Sequence, residues 1–253
     1  DENECLSYVC EDMADLDAKT LYLHAIACLQ DQSMLTDLLV RKSGKRPFDI
    51  IMTIHLLHDK GILQQLSNNT WTLNSSAPID EALTALPSKS KDLIYNRLKM
   101  LNKKVFLCNP ICDYRKTFYD LVKIILYFKG SAPVTYVFDH GIDEEMQLEL
   151  MQTFFFRLDE KYPIISFFHD NIYHYFDNEK IYQYDVKLSL EIISWILDNS
   201  WCNIANKSVI MFESYVRTEQ YENAYQYGMQ ALNEEFENHN FAAVVKIGCA
   251  MLD

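Results

Sequence analysis

Only six glycines and six prolines interrupt 253 residues, so there are few positions where the backbone can turn tightly or where a helix must stop. Long helices should therefore dominate and strands should be few, which makes the expected fold class mainly α. With 49% hydrophobic residues the chain can build a real core, and its length exceeds one typical domain, so two or three small domains are expected.

The periodicity places the elements. From Asp17 to Val40 apolar residues recur at helical spacing (Leu21, Ala25, Ile26, Leu29, then Leu35, Leu38, Leu39), consistent with two helices broken near Asp31. Pro47 to Gly61 reads as a helix with proline in its first turn, Ile50, Ile51, Ile54 and Leu57 along it, and glycine as its stop. Ile62 to Leu66, a turn at Ser67 to Asn69, and Trp71 to Leu73 form a small hairpin. A second helical unit opens at Pro87-Ser88, with Ser88 or Ser90 able to cap it, runs through Leu93, Ile94, Leu98 and Leu101, and is followed by helix from Phe118 to Phe128. Asp143, Glu144 and Glu145 start a further helix that carries Met146, Leu148, Leu150, Met151 and Phe154. The turn Glu160 to Pro163 leads into a strand at Ile164 to Phe168 and then a helix from about Asp170. Helices closed by a short hairpin are the pattern of a winged helix.

From about Tyr184 onward only helices are expected. Tyr215, Ala224 and Ala231 keep the spacing of a tetratricopeptide unit, in which small residues let two antiparallel helices approach. The leading glycine and terminal proline of that consensus are absent, and about one and a half repeats are visible, so the chain is expected to be a fragment that stops within the unit Phe241 to Leu252. The expected domains are 1–83, a helical lid segment; 84–180, a winged-helix-like domain; and 181–253, tetratricopeptide-like repeats.

Charge and cysteine content exclude several classes. A formal charge of −13 and a pI near 4.9 repel nucleic-acid phosphate and anionic lipid. The helix that would read DNA, Asp143 to Phe156, carries Glu144, Glu145 and Glu149 and so has the wrong sign for phosphate, which argues against a DNA partner. The seven cysteines are odd in number and scattered, the reading of reduced thiols. No apolar run reaches the ~18–20 residues of a membrane span, and Asp1-Glu2-Asn3-Glu4 does not resemble a signal peptide. A cytoplasmic location away from the membrane is expected, and the sequons at Asn68, Asn74 and Asn206 are read as chance.

An ordered set of motifs carries a resemblance. Ser43-Gly44-Lys45-Arg46-Pro47-Phe48 is followed by Leu57, Gly61, Leu63 and Trp71; then by Leu86-Pro87 and a helix with Arg97, Leu98 and Leu101; and finally by Phe167, His169 and Asp170 at a strand-to-helix corner. From about Leu35 to Phe176 the chain resembles the lid and winged-helix portion of the STAND-class signal-transduction ATPases. Their lid helix opens with Ser-Gly-Gly-Asn-Pro-Leu/Phe, and their winged helix closes on Phe-x-His-Asp. The resemblance implies that Gly44, Arg46, Pro47 and His169 face a bound nucleotide, Pro47 on the adenine side and His169 near a terminal phosphate as a sensor of nucleotide state. Read from the residues alone, His169-Asp170 caps the following helix. Lys45 and Arg46 replace the family's small glycine and asparagine, which either prevents close backbone approach or supplies two cations for phosphate.

No Gly-x-x-x-x-Gly-Lys-Ser/Thr occurs, so this chain by itself is expected neither to hydrolyse ATP nor to need a cofactor; ATP or ADP would bind only within a longer parent that supplies the missing P-loop domain. Other chemistry finds little footing. His55 and His58, at i and i+3, lack further ligands for a metal and are read as helix-surface histidines, and Cys108 and Cys112 form a single pair where zinc needs four ligands. No nucleophile elbow occurs, and acidic runs such as Asp143-Glu144-Glu145 are helix starts or solvated faces. The aromatic clusters Phe154-Phe155-Phe156, Phe167-Phe168 and Tyr173 to Phe176 are read first as core.

Two functions from different classes follow. One is a regulatory region of a multidomain signalling ATPase, coupling nucleotide state to an inducer or protein partner sensed by the helical repeats. The other is a non-enzymatic helical-repeat scaffold for protein partners. A Walker-type loop upstream of Asp1 in the parent gene would select the first.

Overall fold

The computed structural model describes residues 39–43, 46–65, 71–74, 81, 84–104, 114–159, 161–179, 185–200 and 202–252. The protein is mainly helical, and its contacts divide it into two compact units, residues 1–114 and 115–253. The helices expected between Asp17 and Leu38, and Gly44, lie outside the described residues.

In the first unit, helix α1 (Pro47–Asp59) starts where the sequence indicates. Arg46 is extended at the N-cap and Pro47, with no N–H to leave unsatisfied, takes the first helical position. Its end is set by Gly61, whose φ of 74° favours glycine. The Gly61 N–H donates to the His58 carbonyl at 2.8 Å and the Ile62 N–H to that of Leu57 at 2.9 Å, which closes the helix and turns the chain into strand β1 (Leu63–Gln65). β1 pairs antiparallel with β2 (Trp71–Leu73), Leu63 opposite Leu73. Helix α2 (Ser90–Lys104) packs against α1. The interface is built from the buried Ile50, Ile54 and Leu57 of α1 and Leu93, Ile94, Leu98 and Leu101 of α2.

A charged cluster lies inside that interface. Arg97 of α2 is buried and donates from Nε to Asp59 Oδ2 at 3.1 Å. Burial pushes the Asp59 carboxyl up, but the His58 ring, its Nδ1 3.7 Å from Oδ1, and the Arg97 guanidinium outweigh it and hold the group below the usual carboxylate range. His55, expected on the helix surface, is instead buried: the apolar stripe of α1 is wide enough to take His55 inside, between Ile54 and Leu56 in sequence. Burial, assisted by Arg97, lowers its pKa from 6.5 to about 3. Unfolded His55 therefore binds a proton below about pH 6.5 while the folded residue does not, so stability is lost as pH falls from 6.5 toward 3. We expect the first unit to lose about 2 kcal/mol between pH 7 and pH 5. Urea titrations followed by hydrogen exchange at both pH values should show this slope, with His55→Leu flattening it; a slope unchanged by that substitution would locate the titrating group elsewhere.

In the second unit, helix α3 (Tyr114–Tyr127) leads through a turn, with Lys129 at φ 57° and Gly130 at φ 108°, into strand β3 (Ser131–Pro133). Helices α4 (Val134–Asp139) and α5 (Glu144–Met151) follow, then strands β4 (Phe156–Asp159) and β5 (Ile164–Phe167). The sheet runs β3-β5-β4 with both pairings antiparallel, Ser131 opposite Ser166 and Phe156 opposite Phe167. The order is thus helix, strand, two helices and an antiparallel pair of strands.

Strands β3 and β4 have no counterpart in the pattern of the sequence, and α5 stops at Met151, short of Phe154 and of the Phe156 to which its helical spacing extends. Phe154 takes φ 57°, which turns the chain so that Phe155 and Phe156 are buried. There they join Phe118 of α3 and Phe176 of α6 (Asp170–Asn178), with ring centroids 5.1–6.3 Å from that of Phe118. Burial of these rings and pairing with β5 outweigh the helical spacing.

Helices α7 (Val186–Asp198), α8 (Lys207–Arg217), α9 (Tyr221–Glu237) and α10 (Phe241–Leu252) complete the unit, each packed on the next. Three-residue turns, with Glu219 and His239 at positive φ, reverse the chain between α8, α9 and α10. The small residues of α9 explain the tight packing. Ala224 and Ala231 are buried, and a Cβ on Gly228 would sit 2.8 Å from Met251 Sδ and 3.1 Å from Phe212. Among the described residues no helix is long and apolar enough to cross a membrane.

Candidate functional site

Arg46 and Pro47 are exposed at the start of α1, on the first unit. His169 is exposed on the second unit, at the N-cap of α6, where its Nδ1 accepts a hydrogen bond from the Asn171 N–H at 3.1 Å. The side chain that caps the helix is thus His169, with Asp170 in the first turn next to the helix dipole.

A dense polar constellation among the described residues is one the motifs did not indicate, and it joins the end of α3 to the C-terminal helices. Glu213 of α8 accepts from Lys129 Nζ, in the turn after α3, and from Arg217 Nη2 at 2.7 Å. The Arg217 guanidinium lies 4.6 Å from the centroid of the Tyr127 ring, a cation–π contact. Tyr127 Oη in turn donates to the Asp185 carbonyl and accepts from the Asp185 N–H, both at 3.2 Å. Asp185 caps α7 through its side chain, accepting from the Leu188 N–H at 3.1 Å. Burial raises the Glu213 carboxyl, but Lys129 and Arg217 more than offset this and hold it ionised, below the usual range. The chain of contacts therefore runs from α8 across the end of α3 to the start of α7. Its one sequence signal is the Glu213–Arg217 pair at i and i+4; the Lys129 contact spans 84 residues.

Beside this network lies a cavity of about 400 Å³, within the size range of small-molecule sites. Lys129, Tyr173 of α6 and Asn206 line it together with residues of α8, α9 and α10. Burial, with the nearby charges of Asp177 and Glu213, pushes the Tyr173 phenol up to about 12, so it remains protonated and a hydrogen-bond donor near neutral pH.

A smaller cavity of about 210 Å³ lies at the start of α7. Its ionic groups are already engaged with each other: His140 Nε2 is 3.3 Å and Lys187 Nζ 3.6 Å from Glu191, and Lys123 Nζ is 3.9 Å from Asp185. It has the character of a surface ion network. Among the described residues no cluster of three or more histidine, cysteine or acidic side chains forms a metal site. Cys202 and Cys249 are free thiols.

No protein-family model, no curated protein and no solved structure matches the chain.

Proposed function

We propose that this chain is a regulatory region of a multidomain signal-transduction ATPase, coupling nucleotide state to an inducer or partner and not catalytic by itself. The observation that carries the reading is the continuous polar network Lys129–Glu213–Arg217–Tyr127–Asp185, which ties the winged helix to the helical array. A tilt of α8 relative to α3 must break at least one of its charged contacts, and such a junction gives a hinge two discrete states. Support also comes from the exposure of Arg46, Pro47 and His169 and from the winged-helix order of the second unit. The acidic α5, with Glu144, Glu145 and Glu149, argues against a DNA-reading role for that winged helix. A cytoplasmic setting follows from this reading.

Calorimetry with ADP and ATP tests the proposal. This chain is expected to bind neither. A polypeptide of the same gene that also carries a phosphate-binding loop is expected to bind both, with His169→Ala changing the ADP/ATP preference about tenfold, the worth of one hydrogen bond to a charged phosphate. Absence of binding to every polypeptide of the gene would sink the switch.

One observation favours a second reading, a protein-interaction scaffold. Tyr221, Tyr225, Met229 and Phe236 of α9 are exposed along one face, and Phe236 meets the exposed Phe241 of α10 at 5.9 Å between ring centroids. Glu222 and Glu237 flank this stripe, so the partner it suits is an amphipathic helix with basic flanks.

A further inference from the structure

We propose that α9 and α10 together seat one amphipathic helix of about four turns with lysine or arginine at both ends, on the side of the hairpin away from the cavity, and that the backbone of this helix comes closest over Gly248. The inference rests on the scaffold reading above and goes past it by fixing the seat, its length and its point of closest approach; it is independent of the nucleotide switch.

α10 supplies the first observation. Of its twelve residues only Ile247 is buried, and Lys246 is its single charge. A helix so apolar on all sides is normally covered. Ala243, Lys246, Ile247 and Ala250 turn toward the cavity. Phe241, Val245, Gly248 and Leu252 recur at i, i+4, i+7 and i+11 and so form a separate face, on which Val245 is 65% and Leu252 89% exposed. The contact between the Phe236 and Phe241 rings joins this face to the exposed stripe of α9. Two packed helices with apolar stripes side by side form a groove that a third helix can fill.

Gly248 is the second observation. Glycine weakens a helix interior, and the two glycines of this hairpin differ in what they gain. A Cβ on Gly228 would collide with Met251 and Phe212, so the packing of the chain itself requires glycine there; a Cβ on Gly248 would meet nothing within 4 Å. No internal contact and no positive φ explains Gly248. On the outer face of α10 the missing side chain leaves a notch where the backbone of a partner helix can approach closely.

Charge selects the occupant. α9 carries Glu222, Glu234, Glu235 and Glu237 and no lysine or arginine, while Lys246 lies on the cavity side of α10. Glu234 and Glu235 are engaged by Ser208 and Asn240, which leaves Glu222 and Glu237 at the two ends of the exposed stripe. A second copy of this chain, with its net charge of −13, or an anionic membrane would bring the same sign to this rim; a helix with basic ends brings the opposite one. Glu222 and Glu237 are fifteen residues apart in one helix, about 22 Å, which sets the partner helix at about four turns.

Calorimetry on this chain tests the seat with an 18-residue model peptide that carries leucine at helical spacing, alanine between, and two lysines at each end. It should bind with a Kd of about 100 μM or tighter. A peptide with glutamates at the ends, and one with the lysine peptide's composition but no leucine stripe, should each bind at least tenfold more weakly. Gly248→Leu fills the notch and should weaken the lysine peptide at least tenfold without lowering thermal stability, since the new side chain meets open space. Glu222→Gln combined with Glu237→Gln should weaken it about tenfold and flatten its salt dependence. Leu190→Ser, at an exposed position of α7, should leave binding unchanged. Absence of binding, equal binding of the lysine and glutamate peptides, or a chain dimer in sedimentation that Gly248→Leu dissociates would each overturn the proposal. Binding lost in Tyr225→Ser but kept in Gly248→Leu would also overturn this seat, while leaving the scaffold reading to α9 alone.

Discussion

Replacing Phe118 with alanine is expected to destabilise the second unit by about 3–5 kcal/mol, a large share of the roughly 5–15 kcal/mol that holds a domain folded. Phe118 is fully buried. Its ring meets those of Phe155, Phe156 and Phe176 at centroid distances of 5.5, 5.1 and 6.3 Å, so a single truncation removes contacts to α3's neighbours in the turn before β4, in β4 and in α6. Phe156 and Phe176 are further locked by stacking on Phe167 of β5, which limits how far the site can collapse around the cavity. Hydrogen exchange of peptides from 114–178 under increasing urea measures the loss directly. Phe138→Ala is the control, because Phe138 is 58% exposed and should shift stability by no more than about 0.5 kcal/mol. Equal effects of the two substitutions would mean that the aromatic cluster is not the core of this unit.

Arg97→Ala is the second large expectation, at about 3–5 kcal/mol for the first unit. Arg97 is 2% exposed, and its Nε–Asp59 contact supplies much of what keeps a mostly buried carboxylate ionised. Removing the guanidinium leaves that charge with His58 and a low-dielectric surround. The diagnostic variant is the double substitution Arg97→Ala with Asp59→Ala, which should recover part of the loss because no uncompensated charge remains, giving a coupling of about 1–3 kcal/mol in a double-mutant cycle. Urea unfolding read by hydrogen exchange across α1 and α2 gives all four corners. Strict additivity would place the effect of Arg97 in packing alone, through contacts such as the 3.5 Å approach of Nη1 to Met52 Sδ.

What was legible in the chain was whatever a few neighbouring residues decide among themselves. Pro47 and Gly61 bound α1 because ring closure and a positive φ are properties of single residues. Asp143 marks the start of α5 because its carboxylate reaches the Met146 N–H 2.9 Å away, three residues on. The β1–β2 hairpin and the corner from β5 into α6 were readable for the same reason. His169 was recognised as part of that corner, although the sequence alone left open whether its imidazole or Asp170 does the capping.

The sequence by itself, then, determined a mainly helical chain, the ends of several helices and the acidic character that disfavours nucleic acid, all of which are local or compositional quantities. Tertiary structure alone decided that Phe155 and Phe156 leave a helical pattern for the core, Phe156 opening strand β4, that His55 and Arg97 go inside, and that Lys129 finds Glu213 across 84 residues to border a cavity with Lys246. Each of these depends on burial and pairing between residues distant in sequence, whose free energy exceeds the few tenths of a kcal/mol by which local propensities differ. No window of neighbouring residues contains that information.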